Sequence, residues 1–314
     1  MANEHPAPPA RQPLFLAGPT AVGKSQIALL LARRLDAEIL SVDSMQVYRG
    51  LDVGTAKPSP DERRAVPHHL VDVAELTEPF DAAQFVQLAR QAVAEIQGRG
   101  RFPIFCGGTG LYFKAFLEGL GQAPPTDHNL RAALEATPLP ELLRELAERD
   151  PVTYHRIDRQ NPRRVFRAVE VLRLTGRSFS DQRAAWPPGL DPQLNARFFA
   201  LTRSPADLRS RIDARVDEMF RRGLVAETEK LLKQGLAENR NAMQALGYRQ
   251  VIEFLRGERP LPETIELVKR RTRQFARRQR TWFRRQLPVT WVHLDPQTTP
   301  EAAAQSLLTR LQPA

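Results

Sequence analysis

Eight consecutive residues, Gly18, Pro19, Thr20, Ala21, Val22, Gly23, Lys24 and Ser25, follow the pattern GxxxxGK[ST], and that spacing names an anionic ligand. Glycines let successive backbone N–H groups turn inward around a phosphate. The helix that follows adds the positive end of its dipole, and Lys24 supplies a mobile cation. Ser25 is the candidate magnesium ligand, through its hydroxyl. The apolar run Leu14 to Ala17 stands before the loop, and Ile27, Leu30, Leu31 and Leu35 repeat at helical spacing after it. The pattern therefore has the strand, loop and helix setting that its chemistry needs, and the ligand class is a di- or triphosphate; an ordinary Gly-rich turn is the alternative.

Asp43 closes a second strand candidate, Glu38 to Val42, and is a candidate general base at the same sheet edge. A carboxylate has a low intrinsic pKa. It takes a proton only from a group that turns acidic in the transition state, such as an amine bonding to an electrophile. The plainer reading is that Asp43 caps the turn that follows. Thr109 lies in Gly107-Gly108-Thr109-Gly110, directly after the strand candidate Phe102 to Cys106. Its hydroxyl is placed to bond the bridging oxygen of a departing phosphate group, or else the glycines serve only a tight turn. A nucleotide hydrolase also needs an acidic residue at the end of a long apolar strand to organise its metal. Here that strand ends in glycines, and Asp72, in Leu70-Val71-Asp72-Val73, follows too short a run. This argues against ATP hydrolysis and for a phosphate that departs rather than a phosphoryl group that is transferred.

The densest basic run, KRRTRQFARRQRTWFRR at 269–285, has nine Lys or Arg among 17 residues and no carboxylate. As a helix it would set Val268, Phe275 and Trp282 on one side at seven-residue spacing and arginines on the others, a face suited to phosphates. The formal charge of the chain is +10. Together these favour a nucleic-acid partner over a solvated face with a packing stripe. A second cluster, Arg163, Arg164 and Arg167, does not discriminate, because arginines so placed also clamp phosphoryl groups in kinases.

These groups need a scaffold. A chain of 314 residues with 42% hydrophobic composition buries a full core. Residues 14 to about 117 alternate strand-like and helix-like segments, as a parallel sheet with crossover helices requires. Asp81 is placed to cap a helix whose apolar positions Phe85, Leu88, Ala89, Ala92, Val93 and Ile96 run until Gly98. From about 120 to 190 the composition turns to Arg/Glu/Leu-rich helical segments broken by prolines, including a helix from Pro162 to Leu174; this reads as an insertion. Phe198 to Thr202 returns to the sheet, followed by helices at 205–222, 224–234 and 263–287 and a strand at 289–293. The organisation is thus an N-terminal segment 1–13 without ordered structure, a core of 14–119 with 195–314, and a helical insertion at 120–194. The one cysteine, Cys106, excludes a disulfide framework or zinc ligand set and reads as a buried small hydrophobe. With no secretory h-region and no run long enough for a bilayer, the expectation is a cytoplasmic protein.

The chain resembles the bacterial tRNA dimethylallyltransferases over most of its length. The resemblance rests on GPTAVGKS at 18, SVDSMQVYRGLDVGTAKP at 41, HHLVDV at 68, GGTGLYFKA at 107, NPRRVFRAVEV at 161, ALGYRQ at 245 and RTRQFARRQRTWFR at 271, in the family's order. It implies an α/β fold with a P-loop kinase-like parallel sheet core, a helical insertion domain gripping a tRNA anticodon stem-loop, and C-terminal helices. It also implies dimethylallyl diphosphate in the 18–25 loop with Mg2+, attack by the adenine amine on the allylic carbon, and loss of diphosphate. Residue by residue it makes Asp43 the general base, Thr109 the hydroxyl assisting the leaving group, Lys24 and Ser25 the diphosphate and magnesium contacts, and Arg215 a further diphosphate contact. The implied tRNA contacts are Asp43, Ser44, Met45 and Gln46; Arg163, Arg164, Val165, Phe166 and Arg167; Gln244, Ala245, Leu246, Gly247, Tyr248 and Arg249; and Arg277, Arg278, Gln279, Arg280, Thr281, Trp282, Phe283 and Arg284. A monomer is expected. Val22 stands where the family often has serine and Ser25 where it usually has threonine; both keep the backbone and hydroxyl the loop needs. An allylic carbon bears positive charge readily, so such an enzyme has mainly to bind the diphosphate, exclude water and deliver one flipped base. Two other readings are weaker. A nucleoside or nucleotide kinase would use the same loop on ATP but leaves the C-terminal basic run without purpose. A non-catalytic RNA-binding protein does not need an intact Lys24-Ser25 pair.

Overall fold

Six short runs form one all-parallel sheet in the order β3-β2-β4-β1-β5-β6. The strands are β1 (Leu14–Ala17), β2 (Ala37–Val42), β3 (His68–His69), β4 (Phe102–Gly107), β5 (Phe198–Thr202) and β6 (Thr290–His293). The computed structural model describes residues 12–121, 123–182, 197–239 and 241–311. Residues 1–11 of the N-terminal segment, Pro187, Pro188 and the expected boundary at 194 and 195 lie outside the described residues. Two compact units are present, Met1–Leu117 with Gly189–Ala314, and Glu118–Pro188.

The four central strands β1, β2, β4 and β5 are buried on both faces, as a sheet covered by crossover helices requires. Alternate residues feed two cores: Phe15, Ala17, Leu40, Val42, Phe105 and Phe198 on one face, and Leu14, Leu16, Ile39, Ile104, Phe199 and Leu201 on the other. The crossover helices before the insertion are α1 (Lys24–Leu35), α2 (Pro60–Ala65), α3 (Ala82–Gly98) and α4 (Gly110–Glu118). Asp81 caps α3 as expected, accepting from the amides of Ala83 and Gln84 while Gln84 reaches back to the Asp81 N–H. Strand β3 and helix α2 have no counterpart in the sequence reading. The one is two polar residues, and the other buries none of its residues and rests on a Ser59–Glu62 capping box, so neither carries a hydrophobic period.

The second unit holds α5 (His128–Ala136), α6 (Leu139–Arg149), α7 (Pro151–Arg156), α8 (Pro162–Thr175) and α9 (Phe179–Gln182). Leu134, Leu142, Leu146, Val165, Ala168 and Val169 form its core. Glu170 is fully buried there, held by Arg131 at 2.7 Å and Arg167 at 2.8 Å.

The chain returns to the sheet with α10 (Pro205–Arg221), α11 (Leu224–Leu232), α12 (Tyr248–Leu255), α13 (Leu261–Gln286) and α14 (Pro300–Leu311) around β5 and β6. Helix α13 differs from expectation in which face it buries. The buried residues at its C-terminal end are Val268, Thr272, Ala276, Gln279 and Phe283, at steps of three and four, while Phe275 and Trp282 are only half-buried. Val268 and Ala276 belong to one sheet-face core and Phe283 to the other. The helix therefore passes from one face to the other, and Gln279 stands at the crossing. No described helix is long and apolar enough to cross a membrane.

Candidate active site

Register brings the chemistry together. Ala17 and Val42 both pair with Gly107, so β1, β2 and β4 end level, and the next residues are Gly18, Asp43 and the Gly108-Thr109 pair. This is the carboxyl edge of the sheet at its switch point, where open α/β folds bind ligands.

After β1 the backbone enters the loop at Gly18 with φ 144°, and a Cβ there would lie 2.7 Å from the Leu201 carbonyl oxygen of β5. Gly23, at φ 108°, precedes α1 without any side-chain cap, which leaves the first-turn N–H groups for an anion. Lys24 folds back so that Nζ donates to the Pro19 carbonyl at 2.7 Å. Arginines brace the loop from behind: Arg203 Nε donates to Val22 O at 2.9 Å and Arg211 Nε to Ala21 O at 3.2 Å. Lys24, Ser25, Arg211 and Arg215 line one cleft of about 410 Å³ with Ala21, Gly23, Gln26 and Ala214. Burial holds the Lys24 ammonium down to about 8, with Arg215 acting in the same sense and Asp43 opposing. Arg215 and Arg211 are depressed by burial too, Arg211 further by Arg203. Desolvated cations that repel one another gain most when a polyanion enters. Arg211 escaped the sequence reading, although its i, i+4 spacing from Arg215 on α10 was a usable signal.

The turn that begins at Asp43 meets Thr109 across the strand ends. Asp43 Oδ1 accepts from the backbone N–H of Met45 at 2.8 Å and of Gln46 at 3.3 Å, so the turn-capping role is real. Among the described residues Oδ2 carries no protein hydrogen bond, which leaves it for an incoming donor. The Ser44 N–H donates to Thr109 Oγ1 at 3.1 Å. With that acceptor site used, the Thr109 hydroxyl proton is available to a ligand. Cys106 is half-buried beside Lys24 and Asp43 rather than a fully enclosed hydrophobe, because β4 ends at the open edge. Burial pushes its thiol up to about 11, so it is uncharged at neutral pH. Asp72 is spent elsewhere, on Lys57 at 2.5 Å and Arg63 at 2.7 Å.

The glycines that end β4 and follow it make no positive-φ turn; they admit neighbours. A Cβ on Gly107 would fall 2.1 Å from Val42 O, on Gly108 2.3 Å from Gln279 Nε2, and on Gly110 2.1 Å from the Trp282 ring. Gln279 accepts from Thr20 N–H at 2.9 Å and donates to Gly108 O at 3.0 Å. It is buried, and its amide is spent on these two loops of the fold.

The segment after Asp43 is pinned from several sides. Gln46 accepts from Ser41 Oγ at 2.8 Å and donates to Thr55 O at 3.2 Å, the same carbonyl that Arg215 meets at 3.4 Å. Glu227 of α11 accepts from Val53 N–H at 2.8 Å and from the Tyr248 hydroxyl at 2.6 Å. Tyr248 is fully buried, packs on Gly54 where a Cβ would meet its ring at 2.4 Å, and has its hydroxyl pKa raised by burial and by Glu227. Ala245 is buried as well, Gly247 donates to Gln250, and Arg249 is exposed and pairs with Glu253 at 3.1 Å. Nothing in the sequence signals the Glu227 bond, whose partners are 174 and 21 residues away.

The basic run also divides. Lys269 pairs with Asp217 at 2.8 Å and Arg273 with Asp213 at 2.6 Å, both acids lying on α10. A run without carboxylates of its own is thus partly neutralised by another helix. Arg277, Arg278, Thr281 and Arg284 are exposed, Arg280 and Trp282 half-buried, and Phe283 buried. In the second unit Arg163 and Arg164 are exposed, Phe166 is half-buried and Val165 is core. Arg167 is bound to Glu170 and to the Pro124 carbonyl.

Three comparisons show what the chain is similar to. Residues 46–286 match the model of the family described as IPP transferase. The protein named tRNA dimethylallyltransferase 1 of Trichlorobacter lovleyi is 46% identical, over 89% of this chain and 92% of its own. A solved tRNA isopentenylpyrophosphate transferase from Bacillus halodurans is 36% identical with a TM-score of 0.69, covering 96% of this chain and 97% of its own. A eukaryotic dimethylallyltransferase, solved acting on tRNA, gives a TM-score of 0.75 at 26% identity, covering 94% of this chain and 78% of its own. The chain, with its P-loop-type parallel sheet, belongs to the IPP transferase family.

Proposed function

We propose that this protein transfers a dimethylallyl group from dimethylallyl diphosphate to the N6 amine of the adenosine immediately 3′ of the anticodon in tRNA, releasing diphosphate. The observation that carries the assignment of residues is the common level of the β1, β2 and β4 ends, which puts an anion loop, a carboxylate and a hydroxyl on one edge. The diphosphate sits on the Gly18–Ser25 backbone with Lys24 and Arg215, and Arg211 belongs beside them in the same cleft. As the C–O bond of the allylic diphosphate breaks, Thr109 donates to the bridging oxygen, where charge grows. The adenine nitrogen bonds to the allylic carbon and becomes acidic, and Asp43 Oδ2 takes its proton.

Mg2+ fits this donor set. The exposed Ser25 hydroxyl offers one hard oxygen at the cleft, and no cluster of three His, Cys, Asp or Glu exists among the described residues. Ser25 would hold a magnesium ion together with the substrate phosphates, and the ion would supply neutralising charge to the leaving diphosphate.

The RNA surface consists of the exposed residues of α13, Arg277, Arg278, Thr281 and Arg284 with Arg280, and separately of Arg163 and Arg164 on the insertion. Ser44, Met45 and Gln46 line the approach to Asp43. The protein works in the cytoplasm as a monomer. Incubating it with unmodified tRNA, dimethylallyl diphosphate and magnesium should give a dimethylallylated adenosine on mass spectrometry of the digested nucleosides. Absence of that nucleoside refutes the reading.

A further inference from the structure

Gln279 is 259 residues from Thr20 and 171 from Gly108, yet its side-chain amide joins them. The backbone N–H of Thr20 can only donate and the Gly108 carbonyl can only accept, so the orientation of the amide is forced and both its groups are satisfied. Thr20 belongs to the anion loop after β1. Gly108 precedes Thr109 in the exit of β4. The pairing of β1 with β4 behind the two loops stops at Ala17 and Gly107, and Gln279 ties them beyond it. Gly108 is the residue that lets the amide in, since a Cβ there would stand 2.3 Å from Nε2.

We propose that Gln279 is a positioning residue that sets the separation between the diphosphate cradle and the Thr109 hydroxyl, rather than a contact for RNA. The proposal rests on the diphosphate reading of the loop given above. Its physical content is that the cradle must hold both phosphates while Thr109 reaches the oxygen that links them to the allylic carbon, and small misplacements in such pairs cost rate steeply. The bridge is also borne by the helix that carries Arg277, Arg278 and Arg280, so one helical turn presents cations outward and ties the reacting loops inward.

The test uses the full chain with Gln279→Leu and Gln279→Glu. Three quantities are measured: magnesium pyrophosphate affinity by calorimetry, tRNA affinity by filter binding, and single-turnover transfer. Gln279→Leu should weaken pyrophosphate binding and slow transfer by about tenfold each, with tRNA affinity within about twofold of wild type. In Gln279→Glu the ionised carboxylate still accepts from Thr20 but opposes the Gly108 carbonyl; once protonated it donates to that carbonyl and restores both bonds. Its pyrophosphate affinity relative to wild type should therefore rise as pH falls from 8 to about 5.5, while the ratio for Gln279→Leu stays flat. Gln279→Leu removes both bonds without adding a charge, so its loss of affinity cannot come from repulsion between a carboxylate and pyrophosphate. Wild-type pyrophosphate binding reports on the diphosphate site itself and the variant-to-wild-type ratios on Gln279, so the two ideas fail separately. Wild-type pyrophosphate binding in Gln279→Leu, loss of tRNA affinity with pyrophosphate binding intact, or a flat ratio in Gln279→Glu overturns the proposal.

Discussion

Gly18 and Gly23, in the anion loop, adopt φ of 144° and 108°, whereas Gly107, Gly108 and Gly110, in the exit of β4, stay out of the left-handed region. The first pair supplies a backbone path that other residues resist, so that amides turn toward an anion. The second set supplies missing volume, so that β2 and helix α13 come close enough to fix Thr109. Similar composition on one sheet edge thus serves two different physical ends. They are separable, because a conformational demand stays when a neighbour is trimmed, and a steric one disappears with the neighbour.

The largest effect is expected at the conformational loop. Gly18→Ala places a Cβ 2.7 Å from the Leu201 carbonyl, a backbone atom in β5 that cannot withdraw, at a strained φ. Pyrophosphate affinity should drop on the order of 100-fold or more by calorimetry, about 3 kcal/mol. Trimming the Leu201 side chain should recover none of it. Gly110→Ala meets the Trp282 ring instead and should destabilise the protein by about 2 kcal/mol in denaturant unfolding. In the double variant with Trp282→Ala, a coupling of at least about 1 kcal/mol should appear. Strict additivity there would end the steric account of the β4 exit.

A third prediction concerns charge in the anion loop. Lys24 has its pKa lowered to about 8, so the free protein loses this cation as pH rises through that value, while a bound diphosphate favours the charged form. The ratio of wild-type to Lys24→Met pyrophosphate affinity should be constant well below pH 8 and fall about tenfold per unit above it, with proton uptake on binding. Lys24→Met should bind weakly and lose this uptake. The smallest effect belongs to the outer face of α13. Arg277→Ala should weaken tRNA binding a few-fold and reduce the salt slope by about one, leaving unfolding unchanged. Arg273→Ala, whose partner is Asp213, should alter stability and leave the salt slope alone.

The parts of this arrangement that lie close together in sequence were legible without coordinates. The strand, loop and helix around Lys24, the capped helix after Asp81 and the strand ending at Val42 all carry local periods or caps. Asp43 and Thr109 were legible as candidates because each follows an apolar run. What escaped is what long-range packing decides. The stripe Val268, Thr272, Ala276, Gln279 and Phe283 includes two polar residues, so periodicity picked Phe275 and Trp282 in their place. The partners of Lys269 and Arg273 are on α10, more than 50 residues earlier, and no local charge pattern shows them. Tyr248 and Ala245 read as surface contacts in the motif at 245, but they are core because Gly54 makes room for the tyrosine ring.

The central claim is that Asp43 serves with one oxygen as a turn cap and with the other as the base. Asp43→Asn separates these, since its carbonyl oxygen still accepts from Met45 and Gln46 while the base is gone. Single-turnover transfer to tRNA at saturating dimethylallyl diphosphate should slow by about 100-fold or more, with tRNA affinity within a few-fold of wild type and pyrophosphate affinity no weaker. A rate within a few-fold of wild type would contradict the account.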